Sequence, residues 1–235
     1  MKYIEVETYD KLSEIAKELV KYEINKNPNL VLGLATGSSP VGLYKKLIES
    51  FKNNELSFKN VKTFNLDEYC NLEKSDNQSY RYFMEENLFK HIDINSSNIN
   101  FLNGICNDFE WECARYDKLL ENTPIDLQIL GIGVNGHIAF NEPDSHFTKG
   151  THLVNLTEDT INANSRFFES KDQVPTQALS MGIRNIFNAK KIILLANGEN
   201  KKDAVEKMLK GNITPYLPAS ILQLHPDCTV IYSKK

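Results

Sequence analysis

The sequence predicts an α/β protein with a mostly parallel sheet that carries helices on both faces, a doubly wound and Rossmann-like arrangement. Two observations predict this fold class. Apolar runs typical of buried strands alternate with segments of helical periodicity, and strands that alternate with helices favour parallel pairing. The 235 residues are 41% hydrophobic and 25% charged, a composition typical of a folded protein that buries a substantial core. We therefore expect residues 1–235 to form a single domain.

Each element follows from a local pattern. A helix is predicted first, because five apolar residues recur at helical spacing: Leu12, Ile15, Ala16, Leu19 and Val20. Strands are then predicted over 29–36, 61–66, 125–133, 191–196 and 228–233, and helices over 40–51, about 77–90, 108–121 and 199–210. The segment 143–185 breaks the alternation, and we expect residues of about 145–170 to form a lid over the carboxyl edge of the sheet, where such folds bind ligands.

Charge and composition narrow the function classes. The net charge is −4 with acidic and basic residues interspersed, so the sequence predicts no nucleic-acid partner. The amino terminus lacks a signal-peptide pattern, and apolar runs stay well short of the roughly 18 residues that span a membrane, so we expect a cytoplasmic protein without membrane association. The four cysteines are widely separated and lack zinc-binding spacing, which predicts no metal.

Two places where strands end suggest a phosphate site. After the first predicted strand, "ATGSSP" offers a tight turn at Gly37 and the hydroxyl and N–H groups of Ser38 and Ser39, at the start of a helix whose dipole favours an anion. After the fourth predicted strand, Lys201 falls in the first turn of a helix, where an anion would offset its unfavourable position. Arg166 offers a third contact. An ordinary helix cap and surface ion pairs are the alternatives.

Acidic residues and a histidine follow two other strands. Asp67 and Glu68 stand side by side, and because side chains alternate along a strand, only one of them can enter a shared cleft. A carboxylate desolvated there would serve as a base, while two solvent-exposed charges are the alternative. In "LGIGVNGHIAFNEP", glycines surround His137, a residue type that exchanges protons near neutral pH. Glu142 would orient its ring, whereas a structural histidine is the alternative.

Together these motifs carry a family resemblance. "LATGSSP", "FNLDEY", "GIGVNGHIAFNEP", "NSRFF" and "LQLHP" occur in this order, and the chain from about residue 3 to 233 resembles the isomerising glucosamine-6-phosphate deaminase family. The block around His137 is highly specific, whereas "ATGSSP" alone is weak. The resemblance implies conversion of glucosamine 6-phosphate and water to fructose 6-phosphate and ammonia in amino-sugar catabolism, with no metal and no organic cofactor.

The resemblance also implies residue roles. His137 would open the sugar ring with support from Glu142 and Asn135, and Asp67 would move a proton from C2 to C1. The phosphate would bind Ser38, Arg166 and Lys201 together with the turn Thr36, Gly37, Ser38 and Ser39.

Three features depart from the family pattern. Asn135 stands where some members carry Asp, which leaves more of the ring-opening work to His137 and Glu142. The sequence ends at residue 235 without the extension of the hexameric, allosteric members, and His152 and Val154 replace the basic residues expected to bind an N-acetylglucosamine 6-phosphate effector. We therefore expect an unregulated monomer or small homo-oligomer. Two alternatives remain, a 6-phosphogluconolactonase-like hydrolase and a non-catalytic sugar-phosphate sensor.

Overall fold

A computed structural model describes residues 1–158, 161–162, 170 and 173–235. Within these ranges the strands are β1 (Lys2–Val6), β2 (Val31–Leu34), β3 (Lys62–Asn65), β4 (Asp67–Tyr69), β5 (Ile99–Asn100), β6 (Leu127–Gly131), β7 (His152–Asn155), β8 (Gln177–Ser180), β9 (Lys191–Asn197) and β10 (Cys228–Ser233). The α-helices there are α1 (Tyr9–Lys26), α2 (Val41–Lys52), α3 (Tyr80–Asn87), α4 (Phe109–Asn122), α5 (Ile183–Phe187) and α6 (Lys202–Lys210).

The larger sheet confirms the predicted fold class. Seven strands lie in the order β1-β10-β9-β6-β2-β3-β5, and every neighbouring pair is parallel. All four residues of β2 are buried, as expected for a central strand covered on both faces. The register aligns Leu34 with Asn65 and Gly131 with Leu195, so β2, β3, β6 and β9 end near the same edge of the sheet.

Helices cover both faces of this sheet. One apolar cluster contains side chains of α1 and α2 with Leu32, Ile129 and Leu195 of the sheet. The other contains side chains of α4, α5 and α6 with Leu130 and Leu194. Because consecutive residues of a strand face opposite sides, β6 and β9 each contribute to both clusters. Three helices begin with a polar N-cap whose side chain accepts a hydrogen bond from a backbone N–H group: Thr8 for α1, Ser79 for α3 and Asp108 for α4. Each such cap stabilises the folded protein by about 1 kcal/mol.

A second sheet has three antiparallel strands in the order β4-β8-β7. It was not predicted, and the segment 143–185 that breaks the alternation supplies two of its strands. A single residue, Leu66, separates β3 from β4, and its carbonyl accepts a hydrogen bond of 2.8 Å from the Met181 N–H. The small sheet is therefore fixed to the carboxyl edge of the large one. The proposed lid over 145–170 lies partly outside the described residues.

Several predicted boundaries differ from those observed. Strand β1 was not predicted, because its five residues are mostly exposed and lie at the edge of the sheet. Helix α3 is shorter than the predicted 77–90 and is followed by a 3-10 turn, Phe89–His91. Pro40 occupies the N-cap of α2 rather than its first turn. Over the described ranges, every helix is too short or too polar to cross a bilayer.

Candidate active site

Four neighbouring strands bring the predicted site residues to one edge. The order β9-β6-β2-β3 is continuous and parallel, so the segments that follow these strands emerge at the same side. The turn at 36–39 follows β2, Asp67 lies two residues after β3, the His137 loop follows β6, and Lys201 follows β9. The sheet therefore gathers residues that lie up to 165 positions apart in the sequence.

The turn after β2 has an open, polar surface. Gly37 has a φ of +90°, a left-handed conformation that favours glycine. Ser38 is exposed and Thr36 and Ser39 are half-buried. The Tyr9 hydroxyl donates to the Ser38 carbonyl at 2.8 Å and accepts from the Gly42 N–H at 2.7 Å, so α1 holds this turn against the start of α2. Pro40 at the N-cap has no side-chain oxygen that could bond the first N–H groups of α2. The positive end of this helix is therefore suited to bind an anion.

Asp67 is buried at the start of β4, with 7% of its surface exposed. It pairs with Ser180 of β8. Desolvation, and secondly the negative charge of the neighbouring Glu68, raise the pKa of Asp67 to about 8. A carboxylate held this way is a stronger base than one in water. Glu68 turns to the start of α3, so the two carboxylates take different directions, as the alternation along a strand predicts.

Glycines shape the loop that carries His137. A Cβ on Gly133 would lie 2.4 Å from Cε1 of the His137 ring, so the ring packs directly on the glycine. The Gly133 N–H donates to the His137 carbonyl at 2.9 Å, which closes the loop. Gly136 has a φ of +84°, a conformation open to glycine. The glycines at 133 and 136 therefore serve the position of the imidazole.

Glu142 and Asn135 surround the imidazole. His137 Nδ1 lies 3.2 Å from Glu142 Oε1, a distance typical of an ion pair, although the atoms are not aligned as a hydrogen bond. The Asn135 amide donates to Glu142 Oε2 at 2.7 Å, and its oxygen accepts from the His137 N–H at 3.2 Å. Asn135 thus bonds both the Glu142 carboxylate and the backbone of His137.

Strand β8 joins the histidine loop to the segment of Asp67. The Ser180 hydroxyl accepts from the Phe140 N–H at 3.1 Å, while its backbone pairs with Asp67. The Asn141 amide donates to the Met181 carbonyl at 2.8 Å. Sequence reasoning missed Ser180 because nothing local marks it, whereas Asn141 stands inside the quoted block between His137 and Glu142.

The structure describes one of the two basic residues that were predicted to bind phosphate. Lys201 is half-buried and ends the 3-10 turn Glu199–Lys201, which makes it the N-cap of α6 rather than a residue of its first turn. Its neighbour Lys202 lies 3.5 Å from Glu199, a surface ion pair. Arg166 lies outside the described residues. Across the described ranges, histidine, cysteine and acidic side chains form no cluster of three with metal-binding geometry.

A parallel α/β sheet with carboxylates, an imidazole and a glycine turn at its carboxyl edge has the architecture of α/β enzymes that bind ligands at that edge, and comparison with known proteins identifies the family. Residues 5–231 match the family of glucosamine-6-phosphate isomerases and 6-phosphogluconolactonases. The chain therefore belongs to this family, as the sequence resemblance predicted.

Two relatives with more than half of their residues identical are both glucosamine-6-phosphate deaminases. The chain is 55% identical over 235 residues to a glucosamine-6-phosphate deaminase of Clostridium novyi, covering 100% of this chain and 98% of the relative. It is 52% identical over 236 residues to a glucosamine-6-phosphate deaminase of Thermoanaerobacter pseudethanolicus, covering 100% and 93%.

Solved structures separate the two branches of the family. The fold is similar to that of a monomeric glucosamine-6-phosphate deaminase, with a TM-score of 0.97 and 46% identity over 99% of this chain and 97% of that one. A 6-phosphogluconolactonase from Thermotoga maritima gives a TM-score of 0.79 at 20% identity, covering 100% and 99%. The second likeness shows a shared fold and nothing finer.

Proposed function

We propose that this chain is an isomerising deaminase that converts glucosamine 6-phosphate and water to fructose 6-phosphate and ammonia. The observation that carries the proposal is full-length identity of 52–55% to glucosamine-6-phosphate deaminases. The proton-transfer groups at one sheet edge support it, because a binding protein would not need a buried base and an oriented imidazole. This favours an enzyme over a sensor.

Ring opening is assigned to His137. The imidazole takes the proton of the C1 hydroxyl and returns one to the ring oxygen, which breaks the C1–O5 bond and leaves an open-chain aldehyde. Glu142, 3.2 Å from Nδ1, supports the charged ring, so that Nε2 is the nitrogen directed to the sugar. Asn135 cannot take a proton; its amide fixes the Glu142 carboxylate instead.

Isomerisation is assigned to Asp67. Its carboxylate removes the proton from C2, which the neighbouring ammonium group of the substrate acidifies. One proton passes from the ammonium group to the oxygen on C1, which gives an enolamine, and Asp67 returns its proton to C1. The product is an iminium at C2; water adds there and ammonia leaves, giving the ketose. Burial favours this chemistry because a desolvated carboxylate binds a proton from carbon more strongly.

The phosphate is assigned to the turn after β2 and to two basic residues. Ser38, Ser39 and the N–H groups from Thr36 to Ser39 would bind its oxygens at the positive end of α2. Lys201 and Arg166 would supply the charges. No metal or organic cofactor is required by these steps.

The proposal is tested by the products of the purified protein. Glucosamine 6-phosphate and 6-phosphogluconolactone are supplied separately, with EDTA present. We expect ammonia and fructose 6-phosphate in equal amounts from the first substrate and no acceleration of hydrolysis of the second. Lactone hydrolysis without ammonia release would support the lactonase alternative. Binding of the phosphosugar without turnover would support a sensor.

A further inference from the structure

Glu68 has no part in the steps above, yet its buried carboxylate accepts three backbone hydrogen bonds. We propose that Glu68 is a positioning residue for Asp67, because its carboxylate fixes the strand that carries Asp67 to the start of α3 and places a charge beside the base. This inference rests on the proposed role of Asp67.

The geometry shows a carboxylate used at both oxygens. Oε1 accepts from the Tyr69 N–H at 2.9 Å and from the Tyr80 N–H at 2.8 Å, and Oε2 accepts from the Arg81 N–H at 2.8 Å. Only 4% of Glu68 is exposed. Charge-assisted bonds to N–H groups are among the stronger hydrogen bonds in proteins, so this contact fixes β4 firmly.

Glu68 completes the start of α3 from outside the helix. The first N–H groups of a helix have no partner within it. The Ser79 hydroxyl binds the Tyr82 N–H at 3.0 Å, and Glu68 binds those of Tyr80 and Arg81. The helix dipole also stabilises a negatively charged carboxylate at this end. The position of α3 against β4 therefore depends on Glu68.

Helix α3 in turn contacts the histidine loop. The Tyr80 ring stacks on that of Phe140, with centroids 6.1 Å apart and planes 9° from parallel. Tyr69 lies 4.7 Å from Tyr80 and 5.9 Å from Phe140. Phe140 stands between His137 and Glu142 in the sequence, so Glu68 connects the segment of the base with the loop of the imidazole.

The charge of Glu68 acts on Asp67. Burial raises the pKa of Glu68 to about 7, against its three N–H donors and the charge of Arg81. The three N–H bonds favour the charged form of Glu68. Among the described residues, the other titratable groups that interact with the pair are Tyr80 and Tyr116, whose pKa values are raised by burial, and Cys70, whose thiol pKa is raised to about 12. All three stay neutral while Asp67 titrates, so in the described part of the chain Glu68 is the charge that opposes ionisation of Asp67.

Three variants test the inference through kcat, KM and the pH profile of kcat/KM. Glu68→Gln removes the charge and keeps the side-chain length; we expect the acid limb to move down by about one pH unit and kcat to fall about tenfold to a hundredfold with KM nearly unchanged. Glu68→Asp keeps the charge and shortens the reach; we expect the same fall in kcat with the acid limb unmoved. Glu85→Gln is the matched control, because Glu85 bonds Arg81 on α3 at 2.6 Å without reaching Glu68; we expect wild-type values.

The outcomes separate the two proposals. A wild-type acid limb in Glu68→Gln, with only reduced thermal stability, would reduce Glu68 to a structural residue and overturn the inference. If Glu68→Gln does not fold, Glu68→Asp decides, and wild-type kcat in that variant overturns it. Absence of ammonia release by the wild type is a failure of the proposed function itself and is visible before any variant is made.

Discussion

At the scale of single residues, burial raises the pKa of Asp67, which strengthens its carboxylate as a base and suits the role that we propose for it. Its sequence context, "NLDEY", contains two adjacent carboxylates and does not say which one is the base. The structure distinguishes them by their partners, since Glu68 has three N–H donors and Asp67 is left to desolvation and its neighbour's charge. The tertiary fold decides which of the two carboxylates bonds the N–H groups at the start of α3. The local sequence does not contain this information.

Asp67 also predicts how stability varies with pH. Its pKa rises from an ordinary 3.8 to about 8 on folding, so the folded state holds the proton more tightly and loses stability as pH rises from about 4 through 8. Asp67→Asn removes this loss. We expect the Tm of the variant to equal that of the wild type near pH 4 and to be higher at pH 9. The difference should be roughly 2–4 °C for each kcal/mol by which ionised Asp67 lowers the free energy of unfolding. Calorimetry at the two pH values measures the difference, and a lower Tm than the wild type at pH 9 would contradict the burial cost.

At the scale of elements, the sequence pattern predicts five of the seven strands of the large sheet, missing β1 and β5, and none of the strands of the small one. Strand β10 occupies the predicted range 228–233. The strands β2, β3 and β6 fall inside their predicted runs, and β9 extends one residue beyond its own, because buried parallel strands are continuous apolar segments. Strands β4, β7 and β8 have only three or four residues each. Their pairing joins distant segments, so no local pattern marks them.

The loop after β6 predicts a matched pair of glycine variants. Gly133→Ala places a Cβ 2.4 Å from the His137 ring and displaces the imidazole, whereas a Cβ at Gly131 meets no atom within 4 Å. We expect Gly133→Ala to lower kcat about a hundredfold with KM little changed, and Gly131→Ala to keep wild-type kinetics. Steady-state assays of both variants check this. Equal kinetics in the two variants would exclude close packing as the reason for Gly133.

At the scale of the whole molecule, the effector positions predict an enzyme without allosteric activation. His152 is half-buried and its Nδ1 atom contacts the Gly150 carbonyl at 3.1 Å. Burial lowers the pKa of His152, so it is neutral near pH 7 and cannot supply the cation that an effector phosphate would need. Val154 offers no charge either. We expect a monomer or a small homo-oligomer, and the likeness to a protein described as a monomeric deaminase favours the first of these.

The corresponding test uses saturation curves and mass in solution. We expect hyperbolic saturation curves, and we expect N-acetylglucosamine 6-phosphate to change kcat/KM by no more than a factor of about three. Analytical ultracentrifugation should show a single species near 26.9 kDa. Tenfold activation by that compound, or sigmoidal curves from a hexamer, would refute this prediction.

The central claim is that Asp67 moves the proton from C2 to C1. The most direct measurement compares ammonia release and binding of glucosamine 6-phosphate in the wild type and in Asp67→Asn, which keeps the shape and removes the base. The account predicts a loss of turnover of about a thousandfold or more with the Kd for the phosphosugar nearly unchanged. Turnover in Asp67→Asn within tenfold of the wild type would contradict it and require another base.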